Sequence, residues 1–397
     1  EEILRRLQSF EDAQARRLDH FQANRTLHLR FQAAQGAFEA SYSGDFFFRR
    51  DHGFDWVWRD FYVGGVKWKS KKIPSVPLIQ PEKVASLPAE IRLTKDYDYR
   101  LRGTATVEDR DCWVIDFRPL ESAPGRSLYR GTVWVDREIY ARVRTRATQV
   151  GLEGSVLAAE ETRFYIPFND DGLQTEWTAE SFVLPVRISG QQTFSILSAT
   201  LPVEVETEIT GITINGEGFE RSRAVALASD ATMLRDTDEG LRYLKKDETG
   251  VRFVEAEIDS DRLFLVGGVF WDESVDYPLP LAGVNNLDLD FKGTGAQVDV
   301  FFAGAFLAAG IAEPQLFGGR WNGGANLDGL FFKARDELFR AGVVVPEEVI
   351  GIPLVGPYLM NWTGFKARPS RWFMELNRVA TLDDFETSVD RMREMNY

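Results

Sequence analysis

The spacing of apolar residues along the chain changes near residue 24. In residues 1–24 the apolar positions recur close to one helical stripe, with charged residues between them: Ile3, Leu7, Phe10 and Phe21. This spacing predicts an amphipathic helix that packs on the following sheet. From Thr26 onward, apolar and polar residues alternate in short runs that Gly, Asp, Asn or Pro separate. A period of two with such turn residues predicts antiparallel strands joined by hairpins.

Pattern and composition divide the chain into four segments. After the helix of residues 1–24, residues 25–213 are predicted to form one antiparallel domain, with a helix-like interruption at 81–88. Residues 214–262 are more polar and are predicted to be a connector. From residue 263 the chain is rich in Gly, Phe, Asn and Asp, and its long strand candidates predict a second β domain over 263–397. The predicted fold class is therefore mainly β.

One face of the first predicted sheet is strongly aromatic. In "FDWVWRDF" and "CWVIDF" the alternation places large apolar side chains on one side and polar ones on the other. Helical cover for this face is limited to 1–24 and 81–88, so we predict that part of it binds a lipid or another hydrophobic ligand. An ordinary helix-covered core explains the same pattern. The predicted lining residues are Trp56, Trp58, Trp113, Ile115, Phe117 and Val135. The run "ARVRTRA" is predicted to place Arg142, Arg144 and Arg146 together on one charged face.

The second domain alternates in the same way but contains more Asn and Gly. In a soluble sandwich the apolar face points inward, whereas a membrane β-strand turns it toward lipid and turns its polar face toward a wet lumen. Under the membrane interpretation, the lipid-facing residues are Leu287, Leu289, Phe291, Trp321, Leu327 and Phe331. The lumen-facing residues are Asp288, Asp290, Asn322, Asn326 and Asp328.

Charge and hydropathy exclude several classes of protein. The formal net charge of -14 repels nucleic-acid phosphates, and no basic stripe offsets it, so nucleic acid is not expected as a partner. No run reaches the roughly 18 to 20 apolar residues of a membrane helix, whereas a membrane β-strand needs only about 9 to 11 residues. The chain begins at Glu1 without a signal peptide, which we interpret as a processed or cut N-terminus.

The sequence offers no set of catalytic residues. It has three histidines, His20, His28 and His52, and one cysteine, Cys112, and it lacks the common metalloprotease, nucleophile-elbow, phosphate-loop and dithiol motifs. We therefore expect a protein that is not an enzyme and that has no cofactor and no metal site.

The order "YDYRLRGTATVEDRDCWVIDFRP", then "SLYRGTVWVDREIYARVRTRA", resembles the periplasmic lipoprotein carrier and outer-membrane lipoprotein-sorting families (LolA/LolB-like). The matching positions are Tyr129, Gly131, Trp134, Val135 and Asp136, which mark the fold. The resemblance covers about residues 22–186. It implies a half-open antiparallel β-barrel with covering helices that holds lipoprotein acyl chains. Unlike those small carriers, this chain continues for about two hundred further residues.

The segment "DYPLPLAGVNNLDLDFKGTGAQVDVFFAGAFLAAGIAEPQLFGGRW" resembles the first strands of outer-membrane assembly-factor barrels (BamA/TamA-like). The positions that carry the resemblance are Gly283, Asn285, Asp288, Asp290, Phe291, Gly293, Thr294 and Gly295. It implies that 263–397 contributes the first strands of a transmembrane antiparallel β-barrel. This segment has room for only part of such a barrel and ends in a charged, helix-like tail.

Together the two resemblances predict a non-enzymatic protein of the periplasm and outer membrane of a Gram-negative-type bacterium. It is expected to bind lipid acyl chains or lipoproteins in lipoprotein sorting or outer-membrane biogenesis, with the outer-membrane assembly machinery as a candidate partner. Two alternatives stay open: a structural adaptor or surface-binding module without lipid cargo, and a fragment of an envelope hydrolase whose catalytic domain is missing.

Overall fold

The structure is a computed structural model that divides into two compact units. It describes residues 1–33, 36–69, 97–120, 128–152, 155–197, 199–237, 240–255, 260–271, 278–316, 321–330, 339–341, 343–344, 358–367 and 378–381. The first unit comprises Glu1–Phe194 and Thr200–Ile258, and the second comprises Ser195–Ala199 and Asp259–Tyr397. The helix predicted at 81–88, Phe331, the side chain of Trp321 and the charged tail lie outside the described residues.

The N-terminal helix is shorter than predicted. Helix α1 spans Glu2–Arg17, and the chain is already extended at Leu18. Two salt bridges from Glu2 to Arg5 and Arg6 support its first turns. Phe21, which the sequence pattern assigned to the helix, belongs instead to the alternating series of the first strand. A single apolar residue fits either period, which is why the predicted end was wrong.

The first unit contains one large antiparallel sheet. Its strands are β1 His20–Ala33, β2 Gly36–Arg49, β3 Gly53–Val63, β4 Val66–Lys67, β5 Tyr97–Val107, β6 Arg110–Pro119, β7 Leu128–Asp136, β8 Arg142–Val150, β9 Val156–Phe168, β10 Phe182–Ile196, β11 Ala199–Ile214, β12 Met233–Thr237, β13 Gly240–Lys246 and β14 Arg252–Val254. The strand order is β14-β13-β12-β3-β2-β1-β11-β10-β9-β8-β7-β6-β5, and β4 pairs with β3. The prediction of a mainly β, antiparallel fold is confirmed. Among the described strands, the edge strands β5 and β14 do not pair with each other, so this sheet is not a closed barrel.

The sheet is curved. Tyr129 on β7 and Val205 on β11 line one small cavity, although β8, β9 and β10 lie between these strands. A flat sheet with strands about 4.8 Å apart would separate the two residues by nearly 20 Å. We call the side that carries Phe21, Trp56 and Ile115 the aromatic face, and the opposite side the outer face.

Most of the core of the first unit lies on the aromatic face. The largest cluster is built from β1 to β3 and β9 to β13, and paired residues such as Phe21 and Phe48, or Tyr42 and Phe61, stack across its strands. Stacked aromatic pairs add about 0.5 to 1.5 kcal/mol each beyond the burial of their area. The alternation of β1 to β3 therefore produces a closely packed aromatic layer.

Residues 214–262, predicted to be a connector, largely extend the first unit. Helix α2, Phe219–Ala228, packs Phe219 and Ala226 against the outer face. Strand β12 then pairs with β3, and β13 and β14 follow in the sheet. The sequence pattern did not predict that these strands join the first sheet, because β12 pairs with a strand about 180 residues earlier in the chain.

A β-bulge separates the three arginines that were predicted to share a face. Val135 pairs with Arg142 while Trp134 pairs with Arg144, so β8 carries an extra residue at this point. The bulge reverses the alternation. Arg142 is therefore buried on the aromatic face, whereas Arg144 stacks on Trp134 and Arg146 is exposed on the outer face. The predicted single arginine face is wrong at Arg142.

The second unit contains a separate antiparallel sheet. Its strands, in sheet order, are β15 Asp261–Phe270, β16 Leu279–Asp288, β17 Gln297–Ala303, β18 Phe306–Gln315, β19 Trp321–Leu330, β22 Tyr358–Ala367 and β23 Arg378–Thr381. A two-stranded sheet pairs β20 Phe339–Arg340 with β21 Val343–Val344. A short 3-10 turn at Phe291–Gly293 follows β16.

The register of the second sheet places Leu287 and Leu327 on opposite faces. Leu287 pairs with Asp299, Asp299 with Gly310, and Gly310 with Asn326, so Leu287 shares a face with Asn326. Directly paired residues in antiparallel strands point to the same side, and a shift of one residue reverses every side chain. Leu287 and Leu327 were predicted to face lipid together, and this grouping does not hold.

Two further residues of that prediction lie beyond the end of β16. Leu289 is buried, and Phe291 begins the 3-10 turn and is partly exposed. Neither continues the alternation, because β16 ends at Asp288 and the Asp290 side chain accepts a hydrogen bond from the backbone of Gly295. In the described part of the chain, no helix has the length and apolar content needed to cross a membrane.

Candidate functional site

The six residues predicted to line a ligand surface all lie on the aromatic face. Trp56 and Trp58 belong to the large cluster, Ile115, Val135 and Trp113 lie beneath α1, and Phe117 packs with Tyr129 and Ala147. All but Trp113 are at most 3 % exposed. Protein atoms cover these side chains here, so a ligand reaches them only if a covering element moves.

Helix α1 covers the part of the aromatic face that β6 and β7 form. Leu4 and Leu7 are its buried residues, and they pack on Ile115, Val133 and Val135. These two leucines stand three positions apart and so occupy one side of the helix. Ile3 packs on the same cluster, and Phe10 packs on Ala141, Tyr165 and Val183, so the apolar contact continues along the helix to Phe10.

The second half of α1 is held by polar contacts. Arg142 Nε donates a hydrogen bond to Glu11 Oε1 at 2.5 Å, and these side chains are 4 % and 16 % exposed. Burial alone would lower the pKa of Arg142, but the Glu11 carboxylate holds it above its ordinary value. The Gln14 side chain accepts a hydrogen bond from the backbone N–H of Val183 at 2.7 Å and donates one to its carbonyl at 3.2 Å.

Arg50 fixes the end of the helix. Its Nε donates to the carbonyl of Leu18 at 3.0 Å, and its Nη2 donates to that of Arg16 at 3.3 Å. A cation at this position also stabilises the helix dipole. Helix α1 is thus a cover with one apolar side, from Ile3 to Phe10, and several hydrogen-bonded attachments.

Polar side chains interrupt the aromatic face between β7 and β11. A cavity of about 20 Å³, room for roughly one water molecule, is lined there by residues that include Tyr129, Glu161, Gln192 and Val205. Gln192 is buried, and its Oε1 has no hydrogen-bond partner among the described residues. An apolar surface with a few converging polar groups is typical of small-molecule sites.

Arg25 is the residue of this face that the sequence-based prediction missed. It occupies the apolar phase of β1, and its guanidinium lies over the ring of Trp56 at 4.6 Å from the centroid. The signal was present in the sequence as one charged residue in the alternating series Phe21, Ala23, Arg25, Leu27, Leu29 and Phe31.

Asp55 and the Cys112 thiol of the first unit are in structural positions. Asp55 is 3 % exposed and accepts hydrogen bonds from Arg223 at 2.8 Å and Arg235 at 2.7 Å. Burial raises the pKa of Cys112 to about 11, which makes it a poor nucleophile. Across the described residues, no three His, Cys, Asp or Glu side chains come together as a metal site requires.

The second unit carries a surface of exposed apolar side chains. We define the apolar patch as Leu263, Leu265, Val269, Val284, Val300, Phe302 and Ile311, which the register of β15 to β18 places on one face. Leu265 is 87 % exposed. The opposite face carries Asn285, whose side chain donates a hydrogen bond to Asp299 at 2.8 Å. Contiguous exposed apolar surface of this kind marks a binding or membrane-contact surface.

No family model and no curated protein match the sequence. A solved DUF1329 family protein from Desulfovibrio piger ATCC 29098 is similar over 56% of this chain and 97% of its own, with 11% identity and a TM-score of 0.28. A domain named for outer membrane lipoprotein sorting, from Vibrio parahaemolyticus, is similar over 54% and 96%, with 10% identity and a TM-score of 0.25. A LolA superfamily protein from Nitrosomonas europaea is similar over 54% and 96%, with 15% identity and a TM-score of 0.23. These similarities are low, so we infer function from the geometry of the site.

Proposed function

We propose that the first unit is a non-enzymatic binding module of the bacterial envelope that takes up the acyl chain of a lipid or lipoprotein on its aromatic face. The observation that carries this proposal is the cover formed by α1, a single helix that packs on apolar side chains of the sheet through Leu4, Leu7 and Phe10. In the proposed bound state, α1 is displaced and the acyl chain packs on Trp113, Ile115 and Val135. The sheet then acts as the half-open barrel expected from the sequence.

The energies of the two states are of similar size. Displacing α1 exposes five apolar side chains at about 1.5 to 3 kcal/mol each, or about 8 to 15 kcal/mol in all. The chain of a hexadecanoyl group has fourteen CH₂ groups, which at ~0.8 kcal/mol each contribute about 11 kcal/mol when buried. An acyl chain of ordinary length therefore offsets much of the apolar cost of displacing the helix, while loss of the buried Glu11–Arg142 contact adds to that cost.

The proposal is tested by titrating the protein with a dansyl-labelled undecanoic acid, whose fluorescence rises in an apolar site. We expect saturable binding that Trp113→Asp weakens by at least tenfold, because a carboxylate on the aromatic face costs several kcal/mol to desolvate. Val114→Asp is the matched control, since Val114 is the next residue of β6 and lies on the outer face. Absence of saturable binding, or equal loss in both variants, contradicts the proposal.

For the second unit we propose contact between the apolar patch and lipid hydrocarbon, in keeping with the partial transmembrane sheet expected from the sequence. Seven exposed large apolar side chains on one face support it, because such a surface is unfavourable in water. The unit then anchors the chain at the outer membrane.

This second proposal is tested by flotation of the full chain with phosphatidylcholine vesicles. Leu265→Arg is expected to reduce the bound fraction strongly, since an arginine costs about 2 to 4 kcal/mol near the bilayer centre. Val266→Arg, one residue along β15 and on the opposite face, is expected to have little effect. The reverse ranking would show that the polar face, and not the apolar patch, faces lipid.

A further inference from the structure

Arg25 is a cation placed inside an aromatic surface. Its guanidinium carbon lies 4.6 Å from the ring centroid of Trp56, 5.5 Å from that of Phe46 and 5.6 Å from that of Phe54. The side chain is partly buried, and its neighbours on the same phase of β1 are apolar. Rings on this side stabilise the positive charge but accept no conventional hydrogen bond from it.

No carboxylate contacts Arg25 in the part of the chain that the structure describes. Its buried Nε has no hydrogen-bond partner. The carboxylates of Glu161 and Asp236 influence it electrostatically without contacting it, and Glu161 is bonded to Arg163. Three other deeply placed arginines each contact a carboxylate: Arg142, Arg163 and Arg223. Arg25 departs from this pattern on the aromatic face, as Arg144, which stacks on Trp134, does on the outer face.

A partly buried cation without a direct anionic contact is unfavourable. Burial, and then repulsion by Arg163, lower the pKa of Arg25 to about 10, so it remains charged at neutral pH. A charge removed from water is stabilised only when an opposite charge or a full set of hydrogen bonds replaces its hydration. Glu161 and Asp236 act on Arg25 only electrostatically, and its Nε has no hydrogen-bond partner among the described residues, so an anion from outside the chain is the missing direct partner.

We infer that Arg25 binds the anionic end of the ligand, so that the preferred cargo is an acyl chain with a free carboxylate or phosphate headgroup. This inference rests on the proposed acyl-chain site and narrows it. A planar guanidinium can donate two parallel hydrogen bonds to such a group, while the surrounding aromatic rings hold the first methylenes. A neutral acyl ester or amide gains only the apolar contact.

The test compares three ligands of equal chain length: hexadecanoate, hexadecanamide and hexadecyl phosphate. Each is titrated against the full protein loaded with 1-aminoanthracene, a neutral fluorophore for apolar sites. We expect hexadecanoate to bind about 10- to 100-fold more tightly than the amide, the range for one charge-assisted hydrogen-bonded pair. Tight binding of the phosphate as well assigns the preference to anionic headgroups in general, and tight binding of the carboxylate alone assigns it to fatty acids.

Variants then test whether Arg25 causes the preference for the acid over the amide. Arg25→Gln is expected to remove the difference in affinity between acid and amide, and Arg25→Lys is expected to restore part of it. Arg30→Gln is the matched control, because Arg30 lies on the same strand, is exposed and pairs with Glu39. If Arg25→Gln does not fold, the ratio of the hexadecanoate and hexadecanamide affinities of the unmodified protein still tests whether the site prefers an anionic ligand.

Equal affinity for acid and amide in the unmodified protein overturns the role of Arg25 and leaves the acyl-chain site standing. A preference that survives Arg25→Gln also overturns it. If neither the fluorophore nor any of the three ligands binds, the proposed function fails, and the inference fails with it.

Discussion

If α1 and the ligand compete for the aromatic face, weakening the helix contact must strengthen ligand binding. Leu7 is the most direct place to weaken it, because its side chain is 0 % exposed and packs among Ile115, Val133 and Val135. Leu7→Ala removes these contacts. Because alanine has the highest helix propensity of all residues, α1 itself remains helical. The variant therefore changes the docking of the helix and not its formation.

The size of the effect follows from the buried site. Replacing a fully buried leucine by alanine costs about 2 to 5 kcal/mol, and here the cost falls on the covered state. A ligand that binds only the uncovered state has an apparent affinity proportional to the population of that state. A shift of about 2 kcal/mol therefore raises the apparent affinity by roughly 25-fold, until the uncovered state predominates.

The assay is the fatty-acid titration described above, accompanied by far-ultraviolet circular dichroism to monitor the fold. Leu244→Ala serves as the control, because Leu244 is also buried but packs near α2 on the outer face. We expect tighter binding for Leu7→Ala and unchanged binding for Leu244→Ala. If folded Leu7→Ala binds with unchanged or lower affinity, ligand and helix do not compete, and the reasoning is refuted.

Three further predictions concern the groups buried in each unit. Asp55→Ala should lower the free energy of unfolding, measured in urea titrations, by about 3 to 5 kcal/mol, because it leaves Arg223 and Arg235 without their carboxylate. The control Asp45→Ala, at an exposed salt bridge, should lower it by at most about 1 kcal/mol. Cys112, with its pKa raised to about 11, should resist iodoacetamide at pH 8 until urea unfolds the chain, and rapid alkylation of the folded protein would contradict its burial. Burial raises the pKa of Asp299, so its contribution to stability is full below the unfolded pKa and is lost as the pH rises through the folded pKa. Asp299→Asn should therefore stabilise the protein more at pH 7 than at pH 4, and an equal effect on the thermal midpoint at both values would show that the shift is absent.

Local alternation in the sequence predicted much of the first sheet. It placed Trp113, Ile115 and Phe117 on one side of β6, because a strand with one buried face keeps strict alternation. It failed where one extra residue reverses the alternation, as at Arg142, and where pairing joins distant segments, as between β12 and β3. Neither a bulge nor a long-range pair leaves a periodic signal.

In the second sheet the prediction was wrong in assigning Leu287 of β16 and Leu327 of β19 to the same face. Within β19, alternation separates Leu327 from Asn326, and within β16 it separates Leu287 from Asp288. The sequence contains no information on which phase of one strand matches which phase of the other, because the register depends on the intervening strands β17 and β18. Faces were therefore predictable within strands, whereas their correspondence across the sheet was not.

Photocrosslinking tests the central claim, acyl-chain binding on the aromatic face, most directly. The full protein is incubated with hexadecanoic acid that carries a diazirine at mid-chain, irradiated, and mapped by peptide mass spectrometry. The account predicts adducts on β6 and β7, at Trp113, Ile115 and Val135, that unlabelled hexadecanoate abolishes by competition. Adducts confined to the outer face of the first unit, or to the apolar patch of the second, would contradict it.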